Sequence, residues 1–398
     1  MPLFRTSKER PAFQQITHAP KTFPRFIPIP FPQPANCTLP LTAILESGPV
    51  KAIQDAGKIV FHAVGDTGGY NGTDTEEAIA SAMEAQVTTT AANTVPSFFY
   101  HLGDVVYYNG QSTLYEAQFY EPYKYYPPVI FAIPGNHDGD TSVQSGDLPD
   151  TEPSLYGFRQ NFCAPQRTPI STYRDAMTQP YVYWTLQAPF VTIIGLYGNV
   201  DGTLDGQGTV TQLQWLTSQL QSADPSTCII VAVHQPPYSL DGTHGGYPTI
   251  IDAIDQAANA AGVWPHAVFS GHVHDYQRFT RTASVAGLQR SIPYLIAGAG
   301  GYANSTRQMH KLRRNAAKDP VPCPSPTSDP TVELRGYNEN APGFLRVTVT
   351  SSELTAEYFT VPFTGPVPTT PFDAFTLNYQ TGTITNEMNP GTTGAAAS

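Results

Sequence analysis

Five short apolar segments of this chain each end in side chains that can bind a metal ion. The segments read KIVFHAV, PSFFYHL, PPVIFAIP, CIIVAV and HAVFS, and such runs are typical of buried strands. The residues that follow within a few positions are Asp66, Asp104, Asn136, His137, Asp138, His234, His272 and His274. Taken singly, an Asp after a strand is more often a turn cap, and a lone His is more often a core residue. All five together indicate one site, because ligands and catalytic groups collect at the strand ends of an α/β sheet.

Helical patterns alternate with these strands along the chain. TDTEEAIASAMEAQ and VTQLQWLTSQLQ have the caps and apolar spacing of helices, and a Tyr-rich helical stretch is predicted over 111–121. YVYWTLQ and FVTIIGLYG predict a paired hairpin. The alternation implies an α/β protein with buried sheets and helices outside.

We predict one catalytic domain over residues 56–382, since there is no internal repeat and no clear linker. Residues 1–55 are Pro-rich, with FPRFIPIPFPQP at 23–34, and are interpreted as an extended N-terminal arm that either lies on that domain or is partly mobile. Residues 383–398 end in NPGTTGAAAS and are expected to form a disordered tail.

Charge and cysteine content exclude some functions and leave others open. The formal net charge is −11, with 21 basic against 32 acidic residues, which argues against a broad surface for nucleic acid or anionic membrane. No segment approaches the length of a transmembrane helix, and the first 15 residues lack a recognisable secretory signal, so a cytoplasmic location is the default expectation.

The four cysteines are widely spaced along the chain. Cys228 is expected to be a buried thiol, and the sequence does not decide whether Cys163 and Cys323 form a disulfide.

The combined pattern resembles the calcineurin-like metallophosphoesterases over roughly residues 58–300, which implies a four-layer α/β/β/α sandwich. It is most similar to the purple acid phosphatases among them, in the DTG motif at 66–68, GDVVY at 103–107 and GHVHDYQR at 271–278. The wider family has a metal-binding His where this chain has Gly68, which offers no ligand atom. The resemblance implies that the phenolate of Tyr107 replaces it, although spacing alone leaves the adjacent Tyr108 open.

The resemblance also implies the ligands of two metal ions. One ion would take Asp66, Asp104, Tyr107 and His274, and the other Asp104, Asn136, His234 and His272. The first set has three anionic oxygens, which suits Fe(III), whereas the second is mostly neutral and suits a divalent Fe, Zn or Mn ion. Because Asp104 would bridge them, the ions are expected about 3.5–4 Å apart.

The implied activity is hydrolysis of small phosphate monoesters through attack by a metal-activated hydroxide. His137 is expected to assist the leaving group, and His244, which follows His234 by ten residues, to contact substrate. One alternative is a phosphodiesterase acting on cyclic nucleotides or phospholipid head groups with the same centre. Another is a non-catalytic binding protein that retains the fold. Members are usually exported, and many have Glu where this chain has Asp138. The sequence does not indicate an oligomeric state.

Overall fold

Sixteen strands form two β-sheets in the computed structural model, which describes residues 26–70, 72–88, 94–141, 152–206, 211–285, 287–304, 309–313 and 320–388. In spatial order, the first sheet contains β1 (Thr38–Pro40), β5 (Trp184–Ala188), β6 (Val191–Leu196), β7 (Cys228–Val233), β8 (Ala267–Ser270), β10 (Leu288–Ala297), β9 (Tyr276–Val285), β12 (Val332–Asn338) and β11 (Ser325–Pro326). The second contains β16 (Thr383–Thr385), β15 (Asp373–Asn378), β14 (Glu353–Thr360), β13 (Gly343–Thr350), β2 (Lys58–Val64), β3 (Phe98–His101) and β4 (Val129–Ala132).

Helices pack against each sheet. They are α1 (Ser47–Asp55), α2 (Asp74–Thr88), α3 (Asn136–Gly139), α4 (Tyr156–Phe162), α5 (Thr211–Ser222) and α6 (Pro248–Ala261). Helix α2 contacts β13, and α5 contacts both α6 and β6, while β10 of one sheet contacts β13 of the other. The predicted α/β class and four-layer sandwich are confirmed.

Three parallel strands lie at the centre of the first sheet, and three at one side of the second, where β4 is the edge strand. β2, β3 and β4 run parallel in the second sheet, and β6, β7 and β8 run parallel in the first. All six residues of β7 are buried, as expected for a strand covered on both faces. The predicted hairpin is confirmed, because β5 and β6 pair antiparallel with Trp184 opposite Gly195. The carboxyl ends of the parallel strands thus point toward one edge of each sheet.

The structure confirms the first predicted helix and differs from the prediction for the Tyr-rich stretch. Helix α2 begins at Asp74, and the hydroxyl of Thr73 donates a 2.6 Å hydrogen bond to Glu77 Oε1 in the first turn. The Tyr-rich stretch 111–121 is not a regular α-helix, since it contains a 3₁₀ turn at Ser112–Leu114 and a π-helical turn at Glu116–Tyr120.

The described ends of the chain are built into the sheets. β1 pairs in parallel with β5 and α1 contacts β2, so the described part of the Pro-rich segment packs against the domain. β16 pairs with β15, and Glu387 lies 2.6 Å from the guanidinium of Arg278, so the tail predicted to begin at residue 383 starts too early. Residues 1–25 and 389–398 of the two predicted terminal segments lie outside the described residues.

All four cysteines are free, so the Cys163–Cys323 disulfide left open above is absent, and Cys228 is a buried thiol as expected. In the part of the chain that the structure describes, no helix combines the length and apolarity needed to cross a membrane.

Candidate metal centre

Strand ends from both sheets converge on one cluster of buried polar side chains. Asp66 follows β2, Asp104 follows β3 and Asn136 follows β4, all from the second sheet. His234 follows β7 directly, and His272 and His274 follow β8, so the first sheet supplies the imidazoles. Each of these side chains is less than one-tenth exposed. The structure thus places six of the seven predicted metal ligands at the facing strand ends.

Three of these residues have left-handed backbone conformations. φ is 59° at Asp66, 53° at Asp104 and 68° at His272. Residues other than glycine rarely adopt this region, and such outliers cluster at functional sites, where surrounding contacts hold them. Here the Asp66 N–H donates to the Gly103 carbonyl at 2.9 Å, which ties the β2 and β3 loops together. The turns aim the two carboxylates at the space between the sheets.

Asp66 lies at the centre of the first group. Its Oδ1 is 3.2 Å from the Tyr107 hydroxyl and 3.3 Å from His274 Nε2, and the hydroxyl is 3.4 Å from that same nitrogen. Its Oδ2 accepts the backbone N–H of His272 at 2.7 Å. Three of the predicted ligands of one ion therefore present their donor atoms to each other.

The geometry distinguishes the two adjacent tyrosines. The Tyr107 hydroxyl reaches Asp66, whereas the Tyr108 hydroxyl bonds to that of Tyr302 at 2.6 Å. Tyr107 is 1% exposed and its ring packs 4.0 Å from that of Tyr302. This placement supports Tyr107 as the ligand, and Tyr108 as a packing residue.

Gly68 has no room for a side chain. A Cβ there would lie 2.8 Å from Gln118 Oε1 and 2.9 Å from both the Val105 carbonyl oxygen and the Val106 Cα. Real Cβ atoms do not approach other atoms this closely, and two of the three neighbours are backbone atoms. The loop that carries Tyr107 fills the space a longer residue at 68 would need. The absence of a histidine and the presence of the tyrosine are thus one structural feature.

Asp104 belongs to a second group with two imidazoles. One ligand atom each from Asp104, His234 and His272 lie within 4.8 Å of one another. The Nδ1–H of His234 donates to the Leu102 carbonyl at 2.8 Å, so its Nε2 faces Asp104 Oδ2 at 3.2 Å. A carbonyl partner of this kind fixes the tautomer and orientation of a metal-binding histidine.

Two buried atoms in this group lack a satisfied hydrogen bond. Asn136 Oδ1 has no partner among the described residues, and His234 Nε2 faces only the carboxylate oxygens of Asp104 and, at 3.9 Å, Asp66. A buried polar atom without a partner lowers the stability of the folded protein, so few such atoms remain in protein cores. Both are good metal donors, an imidazole nitrogen and an amide oxygen. The donor set therefore fits a divalent cation held by Asp104, Asn136, His234 and His272.

The pKa shifts follow from two carboxylates and several imidazoles buried together. Burial raises the pKa of Asp66 to about 7. Burial also opposes ionisation of Asp104, but His234 and His137 more than offset it and hold that pKa below its usual range. Burial and neighbouring histidines lower the pKa of His272 and His274, which favours the neutral imidazole that binds metals. Burial, Asp104 and Asp66 raise the pKa of Tyr107, so its phenolate needs a strongly cationic partner.

His137 is arranged differently from the ligands. Its backbone N–H donates to Asp104 Oδ1 at 2.9 Å, and its Nδ1–H donates to the Tyr108 carbonyl at 2.6 Å. Nε2 is therefore the nitrogen left for exchange of a proton. The side chain is partly exposed, whereas Asn136 and Asp138 on either side are buried. The imidazole ring can therefore contact a bound molecule while His137 keeps both hydrogen bonds.

His244, the predicted substrate contact, lies beside the predicted ligand histidines. Its ring is 4.6 Å from that of His272 and 4.5 Å from that of His310, centroid to centroid. Asp241 Oδ2 accepts the His244 backbone N–H and lies 3.7 Å from His244 Nδ1. The Gly-rich loop is thus fixed by a buried carboxylate at its start.

Sequence reasoning missed His310. It stacks on the predicted ligand His274 at 4.3 Å, and its Nδ1 accepts the His274 backbone N–H at 3.1 Å. The segment around it, QMHKLRR, has no motif, and only the small number of histidines could have drawn attention to it. Asp241, His244 and His310 also bring one donor atom each within 4.8 Å of one another.

Other polar residues near the motifs have structural partners. Asp138 accepts the N–H groups of Val105 and Gly135 at 3.1 and 2.8 Å, which makes it a turn cap. Asp275 accepts the Gln277 side-chain amide. His62 and His101, which precede the motifs, are fully buried in β2 and β3 and bond to Tyr126 and Thr67.

A family model described as calcineurin-like phosphoesterase matches residues 59–276. The rabbit (Oryctolagus cuniculus) tartrate-resistant acid phosphatase type 5 is 24% identical over 318 residues, which cover 75% of this chain and 86% of the relative. Purple acid phosphatase 15 of Arabidopsis thaliana is 22% identical over 52% of this chain and 35% of its own length.

A solved structure, purple acid phosphatase PPD1 from yellow lupin (Lupinus luteus) seeds, superposes with a TM-score of 0.56. It is 16% identical, and the alignment covers 81% of this chain but 54% of the lupin chain. This chain therefore spans about half of the lupin protein and about a third of the Arabidopsis one. The predicted similarity to purple acid phosphatases is confirmed.

Proposed function

The chain belongs to the calcineurin-like phosphoesterase family, and from this premise we propose that it hydrolyses small phosphate monoesters with an Fe(III)–divalent metal centre. Family membership confirms the coarser prediction of a metal-dependent phosphoric ester hydrolase with two metal ions. The observation that carries the finer proposal is the Tyr107 hydroxyl beside Asp66 and His274, in a loop that leaves Gly68 no side-chain space.

Charge assigns the two ions to their groups. Asp66, Asp104 and Tyr107 offer three anionic oxygens, and with His274 they would hold the ferric ion. Asp104 would be shared with the second set, in which the other donors are neutral: Asn136, His234 and His272. When bound, the ions would polarise the phosphoryl oxygens and lower the pKa of a water molecule toward neutrality.

His137 supplies the proton that the leaving alkoxide needs. Its Nδ1–H is committed to the Tyr108 carbonyl, so protonation and deprotonation take place at Nε2. The backbone bond to Asp104 fixes the ring beside the metal centre. A positioned general acid contributes typically about 10²–10⁴-fold to the rate.

His244 would bind phosphate oxygens from the opposite side. Asp241 fixes the loop by accepting the His244 backbone N–H, and stacking on His310 holds the ring plane. His310 in turn is tied to His274 by a backbone hydrogen bond. The three histidines therefore form a continuous stack from a metal ligand to a substrate contact.

Metal content and substrate class test the proposal directly. Purified protein should contain iron and a second metal, absorb in the visible range, and cleave a nitrophenyl monoester faster than the corresponding bis-nitrophenyl diester. Faster cleavage of the diester would favour the phosphodiesterase alternative. Full metal occupancy without hydrolysis of either ester would favour a non-catalytic binding protein.

His137→Ala and His137→Asn separate the acid role from positioning. The asparagine amide can still donate to the Tyr108 carbonyl but cannot transfer a proton. Both variants should keep wild-type metal content and lose kcat strongly on an alkyl phosphate, with a smaller loss on nitrophenyl phosphate, whose leaving group needs less protonation. Equal losses on the two esters, or full activity of the asparagine variant, would contradict the general-acid role.

A further inference from the structure

Three partly exposed tyrosines surround the metal centre on the side of His137. They are Tyr70, Tyr108 and Tyr302, and together we call them the tyrosine rim. The rings of Tyr70 and Tyr108 lie 4.3 Å apart at 68°, and the hydroxyls of Tyr108 and Tyr302 bond at 2.6 Å. The three side chains thus form one connected aromatic surface.

The rim continues into the metal centre itself. Tyr302 packs on the predicted ligand Tyr107 at 4.0 Å and on His274 at 4.6 Å. Its backbone N–H donates to the Asp66 carbonyl at 3.0 Å, which fixes its position relative to the ligands. A molecule bound through phosphate at the centre would therefore have the rim directly beside it.

His137 shows which part of that molecule meets the rim. The centroid of the His137 ring, which carries the proton donor Nε2, is 5.5 Å from that of Tyr108. The other ring nitrogen of His137, Nδ1, bonds to the Tyr108 carbonyl. The oxygen that receives the proton is the one bonded to the organic group of the ester. That organic group must then extend past His137 and along Tyr108 toward Tyr70.

We propose that the tyrosine rim binds the organic part of the substrate by stacking, and that the preferred substrates are phosphate monoesters of planar aromatic groups. This inference rests on the proposed phosphomonoesterase function. Aromatic pairs at these spacings gain attraction beyond burial of area, which an alkyl group does not share. Stacking also needs no positive side chain, and basic residues are outnumbered in this chain by 32 to 21.

Tyr70 is the residue to change, because it is 39% exposed and outside the predicted ligand set. Tyr70→Leu removes the ring, and Tyr70→Phe keeps it. Tyr125→Leu is the matched control, since Tyr125 is 71% exposed and precedes β4, at the opposite end of that strand from Asn136. All three variants should retain wild-type metal content and visible absorption.

The probes are phenyl phosphate and hexafluoroisopropyl phosphate, an alkyl ester whose fluorinated alcohol is about as acidic as phenol. Tyr70→Leu should raise KM for the phenyl ester about three- to tenfold and change KM for the alkyl ester less than twofold. Tyr70→Phe and Tyr125→Leu should match wild type. Equal effects on both esters, or none, would overturn the proposal.

Binding of phenylphosphonate and methylphosphonate to the metal-loaded protein, measured by calorimetry, separates this inference from the function on which it rests. Tighter binding of the phenyl compound, lost in Tyr70→Leu, supports the rim whether or not esters are cleaved. Equal binding of the two phosphonates would overturn the rim, even in an active phosphatase. Absence of ester hydrolysis with the phenyl preference intact would overturn the proposed function alone.

Discussion

The substitution Tyr107→Phe tests the reasoning about the metal centre at a single oxygen atom. It removes the hydroxyl that lies 3.2 Å from Asp66 Oδ1 and 3.4 Å from His274 Nε2. It keeps the ring, which packs 4.0 Å from Tyr302 and 4.6 Å from His137. Packing should therefore survive while one ligand is lost.

In metal-free protein the cost follows from one hydrogen bond. Above pH 7, where Asp66 with its pKa of about 7 is ionised, the Tyr107 hydroxyl donates to the buried carboxylate, and a hydrogen bond to a charged group contributes about 1.5–3 kcal/mol. A large chain loses roughly 2 °C in Tm per kcal/mol, so Tm should fall by about 3–6 °C. Calorimetry in the presence of a chelator measures this shift.

In metal-loaded protein the effect is on charge. The first group would fall from three anionic oxygens to two, which favours the ferrous over the ferric ion and makes the iron easier to reduce. Phenolate-to-iron charge transfer should disappear, and with it the purple or pink colour. The control is Tyr108→Phe, which loses only the bond to the Tyr302 hydroxyl and should keep its colour.

The measurements are a visible spectrum, elemental analysis and titration with a mild reductant. A wild-type protein with iron but no visible absorption would refute the assignment of Tyr107. Colour that survives Tyr107→Phe, or that is lost in Tyr108→Phe, would also refute it. A centre with two divalent ions would indicate the chemistry of the wider family.

Three further outcomes are expected. Asp104→Asn should lose most of both metals and Asp66→Asn mainly the iron, because Asp104 is the predicted bridging ligand; equal occupancies by elemental analysis would contradict the bridge. Gly68→Ala should destabilise the protein by about 1–3 kcal/mol, since backbone would have to move, whereas Gly48→Ala, with open space around its Cβ, should cost less than about 0.5 kcal/mol in urea unfolding. Burial lowers the pKa of His266 to about 4, so in metal-free protein the unfolded chain takes up a proton that the folded chain does not as pH falls from about 6.5 to 4. Between pH 6.5 and 4 this residue alone should lower the free energy of unfolding by up to about 3 kcal/mol, and above pH 6.5 it should have no effect. The free energy of unfolding of His266→Gln should therefore depend less on pH.

The sequence alone determined which residues could meet. Strand periodicity and the polar residues after each strand identified Asp66, Asp104 and His234, because a buried parallel strand has a distinctive composition and its carboxyl end has a known place in the sheet. The hairpin of β5 and β6 and the start of α2 were predicted for the same reason, since their signals are local. The resemblance to a known family added the pairing of Gly68 with Tyr107.

Sequence spacing does not decide which of two neighbouring residues reaches the site, and only the tertiary structure decided this. Tyr107 and Tyr108 are neighbours in sequence, and the path of their loop alone sets which hydroxyl reaches Asp66. The same loop excludes a side chain at Gly68. Residues distant along the chain, such as His310, become neighbours of the site because two sheets pack with their strand ends together.

The physical reason is that side-chain direction depends on both long-range packing and local turns. Left-handed backbone conformations at Asp66, Asp104 and His272 set the direction of their donor atoms, and sequence periodicity does not predict that direction. The surrounding fold must hold those conformations. The tyrosine rim likewise joins residues 70, 108 and 302 through contacts between loops. Composition fixed the donors available to this chain, and the packing of two sheets decided how they are arranged.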